Sequence, residues 1–245
     1  MNLSPNQAHV WTLPLAVGDD ALIERLLDAV LSDAEIARAS RFKPVNSRHE
    51  YIAAHALGRI MLSAFADVAP RDWQFETGPH GRPEISGPEN SLNLRFNISH
   101  TRGRVCVAVI RDHDIGIDIE WRGRDNLLDD IALAKFARPE LAQLDKRPES
   151  EKRQAFFSFW TLKESYIKAI GRGLSEPLDG FAFSLDSLTI DFLNGQDDSQ
   201  AWQFQSKSIG DDYTRALAVR CGVGSDLTVR EQVIDISSLN AKITA

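Results

Sequence analysis

A long amphipathic helix followed by short strands is predicted twice along this chain of 245 residues, once in each half. Apolar residues recur at helical spacing over about 47–65 and again over about 151–170. Short runs rich in β-branched residues, separated by turn formers, follow each helix and predict strands. Because each half has its own helix and strands, we expect an α+β protein of two lobes, at 1–114 and 115–245.

The ends of the predicted helices carry recognisable signals. The segments 32–35 and 47–50 both read Ser-x-x-Glu, the form of a capping box, in which the two side chains bind free backbone N–H groups of the first turn. Gly171 follows the second long helix, where a left-handed C-cap is expected. These signals predict two helix starts in the first lobe and one helix end in the second.

Charge and composition limit the classes of partner. The net charge of −7 argues against a general nucleic-acid binder, because phosphate contacts need a basic surface. No apolar run reaches the roughly 20 residues of a membrane helix, and the N-terminus lacks the pattern of a secretion signal. Cys106 and Cys221 lie in apolar, strand-like settings without metal-ligand spacing, which predicts reduced, buried thiols. We therefore expect a cytoplasmic protein with no nucleic-acid or membrane partner.

The segment 38–59 is basic, although the chain as a whole is acidic. It holds five arginine or lysine residues and two histidines against one acid, Glu50. On the helix predicted there, Arg48, His55 and Arg59 share one face. A local basic patch favours an anionic ligand, and a solvated face balanced by acids elsewhere is the alternative.

The stretch 115–121, IGIDIEW, alternates strictly between apolar and other residues. As a strand it turns its isoleucines and tryptophan to one face, and Gly116, Asp118 and Glu120 to the other. The two carboxylates then lie about 7 Å apart along the strand. Gly116 beside them is expected to leave room for a substrate. This face is either a solvated surface or a site.

The second long helix carries polar residues inside an apolar run. Trp160, Glu164 and Lys168 are spaced i, i+4 and i+8, which stacks them on one side of the helix; an ordinary surface Glu–Lys pair is the alternative. Together with Asp118 and Glu120, Glu164 makes three carboxylates, the oxygen ligands that Mg²⁺ prefers beside substrate phosphates.

The loop after the predicted strand at 93–98 offers a phosphate contact. His100, between a serine and a threonine, can bind or protonate a phosphate oxygen, although a lone loop histidine is often structural. Lys168 and Arg82 are further cationic candidates. A Ser99–His100 nucleophile pair is disfavoured, since adjacent strand residues point opposite ways and no nucleophile-elbow motif surrounds Ser99. No Walker or dinucleotide-binding glycine motif is found in the sequence.

Three motifs, in order, carry a family resemblance: FNISHT at 96–101, GIDIEW at 116–121 and FWTLKESYIKAIGRGL at 159–174. Together they resemble the signature of 4′-phosphopantetheinyl transferases, and the length is similar to the pseudo-dimeric type that activates surfactin synthetase. The resemblance implies two similar α/β lobes in a pseudo-twofold arrangement, with the active site at the lobe interface, in a monomer. It assigns the coenzyme A adenine and 3′-phosphate side to the first lobe, and the metal and carrier-protein side to the second.

The resemblance also implies an activity. The family transfers the 4′-phosphopantetheine arm of coenzyme A to a serine of an apo acyl, peptidyl or aryl carrier protein and releases adenosine 3′,5′-bisphosphate. Mg²⁺ is the implied metal, with Mn²⁺ as the alternative. The implied metal ligands are Asp118, Glu120 and Glu164.

The resemblance gives further residues a role. The implied catalytic residues are Glu164 as the base for the incoming serine, Lys168 for the leaving group, Asp118 and His100. The family's usual Lys-Pro in the loop before the first motif is here Arg82-Pro83, which keeps the positive charge. The implied coenzyme A contacts are Arg41, Arg48, His49, Arg82, Pro83, Ser99, His100, Asp118 and Lys168.

Two other functions remain as alternatives at this point. The same three carboxylates could serve another phosphoryl-transfer or phosphodiester-cleaving enzyme, or the chain could be a non-catalytic module that binds coenzyme A or a carrier protein. A carrier surface near the start of the second lobe is expected at Arg122, Arg124, Lys135, Phe136 and Arg138, for which a solvated amphipathic helix is the alternative.

Overall fold

The computed structural model describes residues 3–4, 6–78, 81–88, 90–124, 128–195 and 197–242. The chain divides into two compact units, one of Met1–Asp112 with Leu227–Ala245 and one of His113–Asp226. The described strands are β1 (Gln7–Pro14), β2 (Gln74–Thr77), β3 (Pro83–Gly87), β4 (Leu94–Thr101), β5 (Arg104–Arg111), β6 (Asp114–Trp121), β7 (Phe181–Ser184), β8 (Thr189–Phe192), β9 (Trp202–Ile209), β10 (Tyr213–Arg220) and β11 (Thr228–Val233). The described α-helices are α1 (Asp20–Val30), α2 (Asp33–Ala39), α3 (Val45–Ser63), α4 (Leu128–Lys135), α5 (Arg138–Asp145), α6 (Glu149–Ile170) and α7 (Ile236–Ala241). The mixture of helices and strands is the predicted α+β class.

The first unit is built on a four-stranded sheet in the order β11–β1–β5–β4. β5 runs antiparallel to both of its neighbours, whereas β11 runs parallel to β1. α3 packs against β4 and β5, and its buried Ile52, Leu57 and Met61 share a core with Trp11 and Leu13 of β1.

The C-terminal segment belongs to a different unit from the one predicted. β11 pairs with β1 over six residues, from Gln7 opposite Thr228 to Thr12 opposite Val233. α7 follows and buries Ile236 in the core of the first unit. Residues 227–245 therefore belong with the first unit rather than with a lobe ending at 245, because the backbone hydrogen bonds of β11 are made to β1. The other division, after Asp112, lies two residues from the predicted one.

The second unit has a three-stranded antiparallel sheet in the order β6–β10–β9. α6 packs across β6 and β10, with Phe159 and Tyr166 in a core that also holds Phe181 of the β7–β8 hairpin. Lys163 of α6 and Glu140 of α5 form a fully buried ion pair of 2.8 Å. Burying a charge pair is unfavourable unless its hydrogen bonds are made, so this contact fixes how α6 is turned about its axis.

The helix-end predictions have mixed outcomes. The capping box at 32–35 is confirmed, with the Ser32 N–H donating to Glu35 Oε2 at 2.8 Å. Gly171 is confirmed as a left-handed C-cap, with φ at 69°. The box at 47–50 is wrong, because the N-cap of α3 is Pro44, three residues before Ser47, and has no side-chain hydrogen bond.

Both cysteines are free and buried, as the strand-like settings predicted. Among the described residues, no helix is both long enough and apolar enough to cross a membrane.

Candidate active site

The candidate site begins where β6 and α6 come together. A Cβ atom on Gly116 would lie 2.0 Å from the Ser165 carbonyl oxygen and 2.5 Å from the Ala169 backbone nitrogen. Only glycine allows this approach of strand to helix. The expectation that Gly116 leaves room for a substrate is wrong, because the backbone of α6 fills that space. The alternation of β6 instead turns Asp118 and Glu120 to the face on which α6 lies.

Asp118 is almost wholly buried, at 4% exposure. Its Oδ1 accepts a hydrogen bond from Lys168 Nζ at 2.6 Å, and the same ammonium group lies 3.3 Å from the Ile117 carbonyl oxygen. A carboxylate and an ammonium group predicted from separate motifs therefore form one charge pair between β6 and α6.

Glu120 lies farther along the same strand. It forms an ion pair with Arg124 at 2.7 Å, and the Trp160 side chain donates a hydrogen bond to it. Burial and the charge of Asp118 raise the pKa of Glu120 to about 7, although Arg124, Lys168 and the bond from Trp160 act to lower it. The carboxylate is thus held in an environment that disfavours its ionised form.

Glu164 supplies the third carboxylate, from α6. Burial raises its pKa to about 7, with a further contribution from the charge of Asp118, while Lys168 lowers it. Its Oε1 is buried and has no hydrogen-bond partner among the described residues. A buried carboxylate oxygen in this state is suited to a ligand that carries positive charge or a proton.

Asp118, Glu120 and Glu164 supply the type of donor atom and the negative charge that a hard divalent cation selects. Oxygen donors are what Mg²⁺ selects, and burial together with the charge of Asp118 raises the pKa of both Glu120 and Glu164. Over the described ranges, no three histidine, cysteine, aspartate or glutamate side chains are gathered into a metal-binding cluster. Asp118 and Glu120 are instead paired with Lys168 and Arg124.

A cavity of about 1460 Å³ lies in the first unit. Three of the predicted coenzyme A contacts line it: Arg41, Pro83 and His100. Arg38 and Arg71 line it as well. The cavity thus joins the basic segment to the loop before β3 and to the end of β4, which suits an anionic ligand with an apolar part.

A charged network forms part of the cavity wall. Glu35 accepts hydrogen bonds from Arg59 Nε at 2.9 Å, and its other oxygen lies 2.9 Å from His55 Nδ1. Burial alone would raise the pKa of Glu35, but the bond with His55 and the charge of Arg59 outweigh it and lower the pKa to about 2. Arg59 also donates to the backbone carbonyls of Pro70 and Trp73, at 2.9 and 2.8 Å. The Arg59 guanidinium therefore stabilises the fold through bonds to Glu35 and to these backbone carbonyls.

Arg48 and His49 are directed elsewhere. Both guanidinium nitrogens of Arg48 bind Glu24, and the His49 ring lies 3.2 Å from Asp20 and 3.3 Å from Glu24. The predicted shared face of α3 therefore has two partners. Arg48 binds Glu24 of α1 at the start of the helix, whereas His55 and Arg59 bind Glu35 of α2 farther along it.

The other predicted contacts lie around β3 and β4. Arg82 is buried and its Nε lies 3.0 Å from Glu84. Ser99 is buried and His100 is exposed, the opposite orientations expected of adjacent strand residues. His100 Nδ1 lies 3.9 Å from Glu50.

The predicted carrier surface is only partly exposed. Arg122 is used internally, donating to the Tyr213 carbonyl at 2.8 Å and to Thr214 Oγ1 at 3.0 Å. Phe136 is buried in the core of the second unit. Lys135 and Arg138 are exposed.

Three contacts were missed from the sequence. The spacing of Trp160 from Glu164 was noted, but nothing in it indicated a bond to Glu120. Arg124 was assigned to a surface rather than to the same carboxylate. The sequence predicts Glu35 as a helix cap, and this is confirmed; its bonds to His55 and Arg59 depend on how α3 packs.

Comparisons with known proteins match the segment that carries the carboxylates. The family profile described as the 4′-phosphopantetheinyl transferase superfamily matches residues 114–218. The 4′-phosphopantetheinyl transferase HetI of Nostoc sp. (strain PCC 7120) is 31% identical over 176 residues, which cover 72% of this chain and 73% of that protein. The 4′-phosphopantetheinyl transferase Sfp of Bacillus subtilis (strain 168) is 32% identical over 155 residues, covering 63% and 66%. The crystal structure of the Thermotoga maritima holo-[acyl-carrier-protein] synthase is 20% identical and covers 43% of this chain and 61% of that one, with a TM-score of 0.36.

Proposed function

The chain belongs to the 4′-phosphopantetheinyl transferase superfamily, and we propose that it transfers the 4′-phosphopantetheine arm of coenzyme A to a serine of an apo acyl, peptidyl or aryl carrier protein. The reaction releases adenosine 3′,5′-bisphosphate and requires Mg²⁺, or Mn²⁺ in its place. The observation that carries the proposal concerns α6. Glu164 Oε1 is buried there without a hydrogen-bond partner in the described part of the chain, and Lys168 on the same helix pairs with Asp118 at 2.6 Å.

Asp118, Glu120 and Glu164 are the residues that would hold the metal. When bound, the metal supplies positive charge beside the diphosphate of coenzyme A, where negative charge develops during transfer. The raised pKa values of Glu120 and Glu164 support this assignment, because a bound cation would offset both the burial and the repulsion from Asp118 that raise them.

Glu164 is the proposed base. The serine oxygen of the carrier forms a bond to the β-phosphorus of coenzyme A, and the bond from that phosphorus to the bridging oxygen breaks. Glu164 accepts the serine proton, for which a carboxylate of pKa near neutrality is suited. The released adenosine 3′,5′-bisphosphate carries the electron pair of the broken bond.

Lys168 is the proposed partner of the leaving group. Its ammonium is half-buried and already held by Asp118, so its position is fixed before the substrate arrives. A fixed cation near the developing charge lowers the barrier more than one that must first be ordered.

The cavity of the first unit is the proposed site of the coenzyme A nucleotide. Arg41, Pro83 and His100 support it by lining one space with Arg38. Arg82 and Ser99 adjoin these residues in sequence and stay part of the proposal. Arg48 and His49 are left out of it, because acidic side chains of α1 already lie against them.

A carrier surface is proposed on and after α4. Leu133 is exposed at 71%, and Lys135 and Arg138 are exposed near it in sequence. An apolar side chain among cations suits an acidic helix with an apolar ridge. The proposal also includes a cytoplasmic monomer, in keeping with two free thiols.

The proposal is tested by incubating the purified protein with coenzyme A, Mg²⁺ and an apo carrier protein. The carrier should gain the mass of one phosphopantetheine group, and adenosine 3′,5′-bisphosphate should appear in equal amount. A carrier lacking its serine, Asp118→Asn enzyme and a chelator should each prevent the gain. Cleavage of coenzyme A without a carrier would indicate a phosphodiesterase, and binding without any product would indicate a non-catalytic module.

A further inference from the structure

The ion pair between Glu120 and Arg124 joins two residues that are four apart but do not share a helix or a strand. Glu120 lies on β6, whereas Arg124 lies three residues beyond the end of that strand at Trp121. The chain must therefore turn back for the two side chains to meet at 2.7 Å. The Glu120 side chain is 12% exposed and that of Arg124 is 43% exposed, so the pair lies at the edge of the candidate site.

Two arginines hold the turn that brings Arg124 back. Arg153 of α6 donates through Nε to the Arg122 carbonyl and through Nη2 to the Arg124 carbonyl, each at 2.5 Å. The Arg122 side chain itself binds the start of β10 through the Tyr213 carbonyl. The segment 122–124 is thus hydrogen-bonded to both α6 and β10. These bonds fix the turn that places the Arg124 guanidinium beside Glu120.

The three carboxylates differ in their cationic partners. Asp118 has Lys168 and Glu120 has Arg124, while Oε1 of Glu164 has no hydrogen-bond partner among the described residues. A divalent cation that takes Glu120 as a ligand must compete with the guanidinium for the same oxygens. The Lys168 side chain is 27% exposed and that of Arg124 is 43% exposed. The Arg124 guanidinium is therefore the more easily solvated when it leaves its carboxylate.

We infer that Arg124 sets the metal affinity of this site by occupying Glu120 until a divalent cation displaces it. The inference rests on the proposed function, since it takes Glu120 as a metal ligand. It adds a residue that acts in the metal-free protein. Arg124 offsets the repulsion between Asp118 and Glu120 until a bound metal ion does so instead.

The direct test is a titration of the purified protein with Mn²⁺, without coenzyme A or carrier. The electron paramagnetic resonance signal of free Mn²⁺ measures how much of the ion is bound. Arg124→Gln should bind Mn²⁺ about five-fold more tightly than wild type, the effect expected of removing a half-exposed ion pair. Arg124→Lys keeps the charge and should stay within about two-fold of wild type. Arg147→Gln is the matched control, because Arg147 pairs with Asp186 at 2.8 Å, is similarly exposed, and loses the same charge; it should leave Mn²⁺ affinity unchanged.

Thermal unfolding provides a readout that general weakening of the fold would not reproduce. Arg124→Gln should unfold at a lower temperature than wild type in chelator, and at the same temperature in saturating Mn²⁺. If Arg124→Gln does not fold, Arg153→Gln keeps the inference testable, because it frees the turn while retaining Arg124 and should also tighten Mn²⁺ binding.

The possible failures are distinguishable. Wild type that catalyses transfer but binds no Mn²⁺ would overturn the metal site of the proposed function. Wild type that binds Mn²⁺ through Asp118, as judged by loss of binding in Asp118→Asn, with Arg124→Gln equal to or weaker than wild type, would overturn the role of Arg124 alone.

Discussion

Lys168 Nζ lies 2.6 Å from Asp118 Oδ1, so the cation of α6 is held by the most buried carboxylate of β6. The contact is possible because Gly116, two residues before Asp118, lets the helix backbone meet the strand. The Asp118–Lys168 pair therefore depends on the close packing of β6 against α6. Substitutions in the pair and in the packing should have different effects on activity and stability.

Replacing Lys168 with methionine should reduce transfer by about 100-fold or more, because a fixed cation beside the leaving group is lost. It should also destabilise the fold by about 1–3 kcal/mol, since Asp118 stays buried without its ammonium partner. The rate is measured by intact mass of the carrier and the stability by urea unfolding.

The control for this change is Lys146→Met, which removes an exposed lysine from the same unit. It should leave both quantities unchanged. The double variant Asp118→Asn with Lys168→Met should be more stable than Lys168→Met alone, because both members of the pair are then neutral. A Lys168→Met enzyme with the wild-type rate would contradict the proposed role.

Replacing Gly116 with alanine should destabilise the second unit by about 3 kcal/mol, because the new methyl group would overlap the Ser165 carbonyl and force strand and helix apart. Gly210→Ala is the comparison. Gly210 has φ at 58° and open space around it, so its cost is conformational and about 1 kcal/mol. Urea unfolding of both variants tests the difference, and equal stabilities would mean that the β6–α6 approach is not tight.

The parts of the site that follow a local period could be predicted from sequence. Alternation along β6 fixed the common face of Gly116, Asp118 and Glu120, and helical spacing fixed that of Glu164 and Lys168. What this face meets is not a local property. Alternation alone therefore suggests that Gly116 faces a substrate, whereas it lies against the α6 backbone.

Contacts between distant segments were beyond sequence reasoning. Arg48 and Arg59 were placed on one face of a helix, yet Glu24 binds the first and Glu35 the second, because two different helices pack there. The return of 227–245 to the first unit depends on parallel pairing with β1, for which β11 offers no distinctive pattern: most of its residues are exposed.

The Glu35 network should make stability sensitive to acid. The pKa of Glu35 is about 2 in the fold against 4.5 as a free side chain, so the folded state favours the ionised form. This contributes about 3 kcal/mol at pH values above 4.5, and the contribution is lost as pH falls from 4.5 towards 2. Glu35→Gln should be less stable than wild type at pH 7, with the difference shrinking over that window.

Chemical unfolding at several pH values between 2 and 7 measures the effect. Asp33→Asn is the matched control, on the same helix but with a side chain 94% exposed, and it should follow wild type. A Glu35→Gln variant whose stability runs parallel to wild type from pH 7 to pH 2 would rule out the network as the source.

Replacing Glu164 with glutamine should abolish transfer yet stabilise the metal-free protein. Burial and the charge of Asp118 raise the pKa of Glu164 to about 7, above the 4.5 of the free side chain, so ionisation opposes folding as pH rises from 4.5 to 7. In chelator, Glu164→Gln should therefore exceed wild type by about 1–3 kcal/mol at pH 8 and differ little at pH 5. Glu151→Gln, an exposed position on the same helix, should show no such dependence. Equal stability of Glu164→Gln and wild type at pH 8 would mean that this carboxylate is not strained by its neighbours, and a gain together with lost transfer would mark it as a residue kept for chemistry at the expense of stability.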